Sequence, residues 1–79
     1  MKKIIVYSQP ECPPCEITKK FLTANGFTFE EKNIKTDHES KRELTQKYHS
    51  YSTPTIIIGE TIITGFDLEK LKSELNIQE

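Results

Sequence analysis

The two cysteines of this 79-residue chain fall within one four-residue stretch, Cys12-Pro13-Pro14-Cys15. Two thiols this close in sequence can form a disulfide and open it again by thiol-disulfide exchange. A disulfide across two intervening residues closes too small a loop to restrict the unfolded chain much, so stabilisation explains the pair poorly. The spacing therefore indicates redox chemistry or half of a metal site.

The metal interpretation needs further ligands, because zinc normally takes four. His38 and His49 are the only histidines. They fall at opposite ends of a predicted polar helix, so they cannot both reach the two thiols, and no metal site within one chain is expected. A metal ion or an iron–sulfur cluster bridged by two chains stays as an alternative.

The composition excludes several functional classes. Lys and Arg number 11 against 12 Asp and Glu, a formal net charge of -1 that is not the footprint of a nucleic-acid-binding protein. No apolar run approaches the ~20 residues of a membrane span. The amino terminus has a charged start and a short apolar run without a small-residue cleavage site, unlike a signal peptide. We expect one domain over residues 1–79 in the cytoplasm, where such a cysteine pair is more often catalytic or metal-binding than structural.

The first half of the chain predicts a strand, a helix and a second strand. Residues 3–8 are β-branched and aromatic and indicate a buried strand. The helix covers about residues 16–25, with Cys12 in its first turn or as its cap and Asn25-Gly26 at its end. Residues 27–34 alternate between apolar and polar and indicate the second strand. The residues expected to face the core from the helix are Ile17, Phe21 and Leu22.

The second half predicts a helix, a hairpin and a last helix. Thr36 and Glu39 fit a capping box for a polar helix that continues to about residue 49, with Leu44 and Tyr48 on its apolar side. Gly59-Glu60 lies between β-branched runs at 55–58 and 61–64, as in a type II′ hairpin. The final helix is expected to be capped by Asp67, to bury Leu68, Leu71 and Leu75, and to fray from residue 76. The element order is β-α-β-α-β-β-α, with the first two strands parallel.

Three motifs in this order resemble those of a known family. They are Cys12-Pro13-Pro14-Cys15 after the first strand, Thr53-Pro54 before the third, and Gly65-Phe66-Asp67 after the fourth. Over about its whole length the chain resembles a glutaredoxin-like member of the thioredoxin superfamily. The resemblance implies an α/β thioredoxin fold, a four-stranded mixed sheet flanked by three helices. It also implies a monomer that reduces protein disulfides through the Cys12/Cys15 pair.

Within this superfamily, the sequences at residues 26–30 and 64–67 resemble NrdH-type redoxins. Those proteins take electrons from thioredoxin reductase, and ultimately from NADPH, and pass them to ribonucleotide reductase. Glutathione-using glutaredoxins commonly carry a lysine where this chain has Gln9, and a Gly-Gly pair where it has Thr64-Gly65. The resemblance therefore implies thioredoxin reductase as electron donor, with no bound cofactor besides the disulfide. A glutathione-dependent glutaredoxin is the alternative.

The resemblance also assigns roles to individual residues. Cys12 is expected to attack the substrate disulfide, and Cys15 to resolve the mixed disulfide. The Thr53-Pro54 bond is expected to be cis, with the Thr53 backbone pairing with a substrate strand. The other residues expected to contact substrate are Tyr7, Pro13, Pro14, Gly65, Phe66 and Asp67.

The residues around Cys12 have opposing effects on its acidity. A helix amino terminus favours a thiolate. Pro13 and Pro14, however, lack the backbone N–H groups that would donate to it, and Glu11 and Glu16 add negative charge. We therefore expect a Cys12 thiol that is less acidified than in strongly oxidising members of the superfamily, and a disulfide that is comparatively hard to reduce, as suits a protein that acts as a reductant.

Overall fold

The computed structural model describes residues 3–77 and confirms the predicted element order and the mixed α/β architecture. The strands are β1 (Ile4–Ser8), β2 (Glu30–Asn33), β3 (Thr55–Ile58) and β4 (Thr61–Thr64). The helices are α1 (Pro13–Ala24), α2 (His38–Arg42) and α3 (Leu68–Leu75), and a π-helical turn (Glu43–Lys47) follows α2 directly.

The four strands form one sheet in the order β2-β1-β3-β4. β1 and β2 are parallel, as predicted for strands joined through a helix, and Ile5 lies opposite Glu30. β3 runs antiparallel to both β1 and β4. The predicted tight turn between β3 and β4 is present, with a φ of +60° at Gly59. Because β1 and β3 are the central strands, the loops that follow β1 and precede β3 leave the sheet side by side.

Each face of the sheet carries its own apolar cluster, because successive strand residues point to opposite faces. On one face, strand residues pack against Leu22 of α1 and Leu71 of α3, both fully buried; the strand residues are Ile4, Val6, Ile56, Ile58 and Ile63. On the other face, Tyr7 and Ile57 pack against Leu44 of the π-helical turn. α1 and α3 therefore cover one face, and the segment containing α2 covers the other.

The buried side of α1 differs from the predicted one. Cys15, Thr18 and Leu22 face the core, whereas Ile17 is 50% exposed, so its expected burial is wrong. The helix begins at Pro13, and its buried residues at i, i+3 and i+7 follow the helical period. A fully buried threonine is possible because the Thr18 hydroxyl donates to the Pro14 carbonyl over 2.9 Å.

The second strand is shorter than predicted. β2 covers only Glu30–Asn33, and its residues are exposed or half-buried. Phe27 and Phe29 pack against the α1-side cluster from the loop before the strand. The apolar alternation that predicted a strand from residue 27 thus reflects two aromatic anchors in a loop, while pairing with β1 sets where the strand begins.

The cap of α2 is Asp37, not the predicted Thr36. One Asp37 carboxylate oxygen accepts the Glu39 backbone N–H over 3.1 Å, and the other accepts the Ser40 hydroxyl over 2.7 Å. The Ser40 contact is the main reason that the pKa of Asp37 lies below its usual range. The Thr36 N–H instead donates to the Asn33 side chain in the preceding turn.

The predicted helix to residue 49 is not one regular helix. After Arg42 the backbone widens into the π-helical turn, in which the Tyr48 N–H donates to the Glu43 carbonyl five residues earlier. Leu44 is fully buried and Tyr48 is half-buried against the same cluster, so both predicted apolar residues face the sheet.

The last helix begins at the predicted cap. Asp67 accepts the Lys70 N–H over 3.2 Å, and Leu71 is fully buried. Leu68 is 38% exposed, so its predicted burial is wrong: it occupies the first turn, on the outer side. Asn76 ends the helix in a left-handed conformation instead of fraying, with φ of +58°. Residues 78 and 79 lie outside the described part of the chain.

Candidate active site

Cys12 and Cys15 are joined by a disulfide at the start of α1, with their Cα atoms 5.2 Å apart. Cys12 is the residue that caps the helix, in an extended conformation, and Pro13 is the first helical residue. Proline suits that position because its missing N–H would have no partner within the helix. The turn that starts the helix therefore also sets the separation of the two sulfur atoms.

The two cysteines differ in accessibility. Cys12 is 9% exposed and Cys15 only 1% exposed. Cys15 lies on the buried side of α1 with Leu22, whereas Cys12 lies at the rim, next to the exposed Pro13 and Pro14. Cys12 is therefore the cysteine that lies nearer the surface, and Cys15 lies deeper in the fold.

The Cys12 sulfur has one backbone donor, the N–H of Cys15, at 3.2 Å. Pro13 and Pro14 have no N–H to add, so the predicted shortage of donors at this helix start is present. The nearest cation along the helix is already paired: Lys19 contacts Glu16 at 3.3 Å and Glu31 at 2.8 Å. These two carboxylates offset the positive charge of Lys19.

The loop before β3 lies beside the disulfide. The Thr53-Pro54 bond is cis, which confirms the expectation drawn from the family resemblance. The Thr53 hydroxyl oxygen is 3.7 Å from the Cys12 sulfur, and Pro54 is buried. Within residues 3–77, neither the N–H nor the carbonyl of Thr53 has a hydrogen-bond partner. A half-exposed, unpaired backbone next to the redox sulfur can pair with one residue of an extended peptide.

The turn after β4 is attached to the same loop. The Gly65 N–H donates to the Pro54 carbonyl over 2.7 Å, and Gly65 has a φ of +73°, a conformation that favours glycine. Phe66 packs edge-on against Phe21 with ring centroids 6.1 Å apart and adds to the α1-side cluster. Asp67 serves as the α3 cap. Gly65 thus supports the cis-proline loop, whereas Phe66 and Asp67 make contacts that hold α1 and α3.

Tyr7, predicted to contact substrate, lies on the other face of the sheet. It is 1% exposed and packs against Tyr48, with ring centroids 5.8 Å apart. Its hydroxyl donates to Glu43 over 3.0 Å, and burial together with this carboxylate raises the pKa of Tyr7. Tyr7 therefore has no surface to offer a substrate, and the predicted contact is wrong for this geometry.

Gln9 is a site residue whose contact the sequence did not reveal. Its side-chain amide donates to the Thr53 hydroxyl oxygen over 3.0 Å, across 44 residues of sequence. The sequence singled out Gln9 only as the replacement for a common lysine. Its hydrogen bond to Thr53 depends on the antiparallel pairing of β1 with β3, which places the loop after β1 next to the loop before β3.

A shallow hollow of about 340 Å³ opens beside the loop that precedes Cys12. Its lining residues come from this loop and from the segment around the start of α2; they are Gln9, Pro10, Glu11, Ile34, Lys35, His38 and Lys41. The side of the hollow that is formed by the segment around the start of α2 is basic, because it carries two lysines and one histidine. A larger hollow of about 710 Å³ is lined by residues 27–30 and 74–76 with Lys3 and Ile4, and neither cysteine borders it.

No group of three histidine, cysteine or acidic side chains is placed to hold a metal ion within the part of the chain that the structure describes. His38 and His49 are both exposed. A metal or cluster bridged by two chains stays the alternative that it was in the sequence. No helix among residues 3–77 has the length and apolar character needed to cross a bilayer.

A cysteine pair at the start of a helix, beside a cis-proline on a thioredoxin fold, defines a thiol-disulfide oxidoreductase. The family model for glutaredoxin matches residues 4–63, and the chain belongs to the glutaredoxin family. A glutaredoxin of Neisseria meningitidis is 36% identical over 76 residues, which cover 94% of this chain and 89% of that protein. The family and the Cys12–Cys15 disulfide together establish a thiol-disulfide redox function.

Two solved structures show the same fold over nearly the whole chain. A mutant of the thioredoxin-like protein BC3987 is 49% identical, has a TM-score of 0.93, and matches over 99% of this chain and 100% of that one. NrdH-redoxin from Escherichia coli has a TM-score of 0.79 over 98% of this chain and 96% of that one. At 23% identity, the second comparison shows the fold alone.

Proposed function

We propose that this protein is a cytoplasmic, monomeric dithiol carrier that reduces disulfides in other proteins and is recharged by thioredoxin reductase. The observation that carries the proposal is the position of Cys12, the less buried of the two cysteines, beside the unpaired backbone of Thr53. This arrangement fits an extended peptide that contains a disulfide. The backbone contact fixes the peptide, and one of its sulfur atoms comes to rest against Cys12.

In the first step, the Cys12 thiolate attacks one sulfur of the substrate disulfide. A Cys12–substrate disulfide forms, and the other substrate sulfur leaves as a thiolate that takes up a proton. Cys12 acts here because Cys15 is almost fully buried. The Cys15 N–H, at 3.2 Å, can donate to the attacking sulfur before the reaction.

In the second step, Cys15 loses its proton and attacks the Cys12 sulfur. The Cys12–Cys15 disulfide forms, and the second substrate sulfur leaves as a thiol after protonation. Counted from the form in which both Cys12 and Cys15 are protonated thiols, the redoxin has lost two electrons and two protons, and the substrate has gained them. The short Cα–Cα distance of 5.2 Å keeps the second sulfur within reach. A dithiol of the reductase, supplied with electrons from NADPH, then reduces the redoxin by the same exchange in reverse.

Thioredoxin reductase is favoured over glutathione because of the groups beside Cys12. Glutathione carries two carboxylates and needs cationic or N–H partners near the sulfur. The residue three positions before Cys12 is the neutral Gln9, which carries no positive charge and donates one amide N–H to Thr53. Pro13 and Pro14 offer no N–H groups. For the electron acceptor, the NrdH-like sequence features make ribonucleotide reductase the first protein to test.

Glutathione is the second candidate donor, and one observation favours it. Lys35 and Lys41 line the hollow that borders the loop before Cys12, and they could pair with a glutathione carboxylate. If glutathione is the physiological donor, Lys41→Glu should raise the glutathione concentration needed for half-maximal turnover several-fold. The same change should then affect turnover with thioredoxin reductase much less.

The deciding experiment supplies the oxidised protein with two electron sources in parallel. One is NADPH with thioredoxin reductase, and the other is NADPH with glutathione reductase and glutathione. NADPH consumption is followed with a protein disulfide as acceptor, and Cys12→Ser is the blank. Turnover with thioredoxin reductase alone supports the proposal. Turnover with glutathione alone contradicts the choice of donor, and turnover with neither contradicts the carrier function and directs attention to a metal assay.

A further inference from the structure

Three side chains form a continuous hydrogen-bonded row at the redox site. The Gln9 amide donates to the Thr53 hydroxyl oxygen over 3.0 Å, and that oxygen lies 3.7 Å from the Cys12 sulfur. The residues come from three different places in the chain: the loop after β1, the loop before β3, and the cap of α1. Nothing in the local rules for helix or strand formation requires this row.

The direction of the first hydrogen bond determines what Thr53 can do. A hydroxyl has one proton to donate and two lone pairs that accept. Since the Gln9 amide nitrogen only donates, it occupies a lone pair of the Thr53 oxygen and leaves the hydroxyl proton free. The Cys12 sulfur is the remaining neighbour of that hydroxyl among the described residues, so the proton can point to it.

We propose that Gln9 is a positioning residue that orients the Thr53 hydroxyl to donate to Cys12 when the disulfide is reduced. The Cys12 thiolate then accepts one hydrogen bond from Thr53 and one from the Cys15 N–H. The two donors partly replace the N–H groups that Pro13 and Pro14 lack. This inference rests on the proposed function in one respect, that Cys12 is the attacking thiol.

The charged groups around Cys12 act on its acidity independently of this row. Glu11 precedes it in the loop, and Glu16 lies in the first turn of α1, where it pairs with Lys19. From the α2 side, the groups that line the adjoining hollow are Lys35, His38 and Lys41. A test must therefore separate the effect of the Thr53 hydroxyl orientation on the Cys12 pKa from the effect of a change in charge.

The test measures the pKa of Cys12 in the reduced protein from the pH dependence of its alkylation rate, with the alkylated residue identified by mass spectrometry. Gln9→Ala removes the donor without changing charge and should raise the Cys12 pKa by about half a unit to one unit, since one hydrogen bond to a charged group is weakened. Gln9→Glu should raise it further. A carboxylate only accepts, so the Thr53 hydroxyl must turn its proton away from Cys12.

The controls are the same two changes made in a Thr53→Val background, which keeps the side-chain shape and removes the hydroxyl. There, Gln9→Ala should leave the Cys12 pKa unchanged, and Gln9→Glu should shift it only by its charge. Thr53→Ser keeps the hydroxyl and should restore the effect of Gln9. Far-UV circular dichroism checks that every variant is folded.

Equal shifts from the Gln9 changes in both backgrounds would show that charge or general disturbance, not the hydroxyl, is responsible, and would overturn the inference. So would an unchanged Cys12 pKa in Gln9→Ala. These measurements use the redoxin alone, so they do not depend on which reductase or acceptor it uses. Alkylation of Cys15 before Cys12 is a separate result, which would contradict the proposed attacking thiol itself.

Discussion

The orientation of α1 can be tested by truncating two of its apolar side chains. Leu22 is fully buried, whereas Ile17, which the sequence placed on the same side, is 50% exposed. Cys15 lies on the buried side seven residues before Leu22, so the rotation of α1 that buries Leu22 also buries the second thiol. Comparing Leu22→Ala with Ile17→Ala therefore tests both the packing and the difference between the two cysteines.

The two substitutions should differ by about 2 kcal/mol or more. Leu22→Ala removes buried carbon atoms and leaves a cavity, which costs about 3 kcal/mol. Ile17→Ala removes a side chain whose burial is only half complete, a loss of about 1 kcal/mol. The better helix propensity of alanine offsets about 0.4 kcal/mol of that loss. The free energy of unfolding of a chain this short is about 4–12 kcal/mol, so both variants remain measurable.

Urea unfolding of the oxidised proteins, followed by far-UV circular dichroism, gives the free energy of unfolding and the m-value of each variant. An unchanged m-value means that a shift in the urea midpoint reports stability. A cost for Ile17→Ala as large as that for Leu22→Ala would place both side chains in the core. That result would refute the observed rotation of α1 and, with it, the burial of Cys15.

Three further changes test the site and its surroundings. Cys15→Ser should trap the Cys12–substrate disulfide, which mass spectrometry detects as an adduct that a reducing agent releases. The same change should abolish catalytic turnover, and continued turnover would mean that the second thiol is dispensable. Glu31 has a pKa lowered mainly by Lys19 and then by Ser8, so its contribution to stability is present above the ordinary glutamate pKa and is lost as the pH falls through the lowered value. Glu31→Gln should therefore cost about 0.5–1 kcal/mol at neutral pH and nothing in acid, and an equal loss at both pH values would contradict this pairing. Glu11 has a φ of +58°, a conformation that glycine adopts with less strain than other residues. Glu11→Gly should therefore stabilise the fold by up to about 1 kcal/mol, whereas Glu11→Ala, which keeps the β-carbon, should not. Equal urea midpoints for the two variants would contradict strain at this turn.

Strands with a strong local signal could be predicted from the sequence almost to the residue. β1, β3 and β4 are runs of β-branched and aromatic residues, and β3 and β4 match the predicted bounds. β2 has no such run: its four residues are polar, and it is a strand because β1 provides a parallel partner. Its start could not be predicted, because pairing with a distant segment determines it.

Competing local signals explain the wrong cap that was predicted for α2. Thr36 and Asp37 are both good caps, and the choice between them depends on Asn33, which binds the Thr36 N–H and leaves Asp37 to cap with Ser40. Asn33 precedes Thr36 by three positions, so the signal that selects the cap is local in the sequence. The π-helical turn has no such signal, and nothing in its sequence explains where it begins.

The wrong prediction for Tyr7 and the unpredicted contact of Gln9 both concern the end of β1, where the alternation of side chains holds for Tyr7 and no longer holds for Gln9. Val6 packs against the cluster that α1 covers, so Tyr7, one residue later, must face away from the helix that carries the cysteines. Tyr7 was therefore excluded from the site by its position in the strand, whatever its side chain could offer. Past the end of β1 this alternation no longer applies, and the loop residue Gln9 is free to turn towards Thr53. The residue that this part of the chain adds to the redox site thus lies in the loop after β1. Strand periodicity does not apply to that loop, and the contact of Gln9 with Thr53 depends on how two distant loops are placed in the fold.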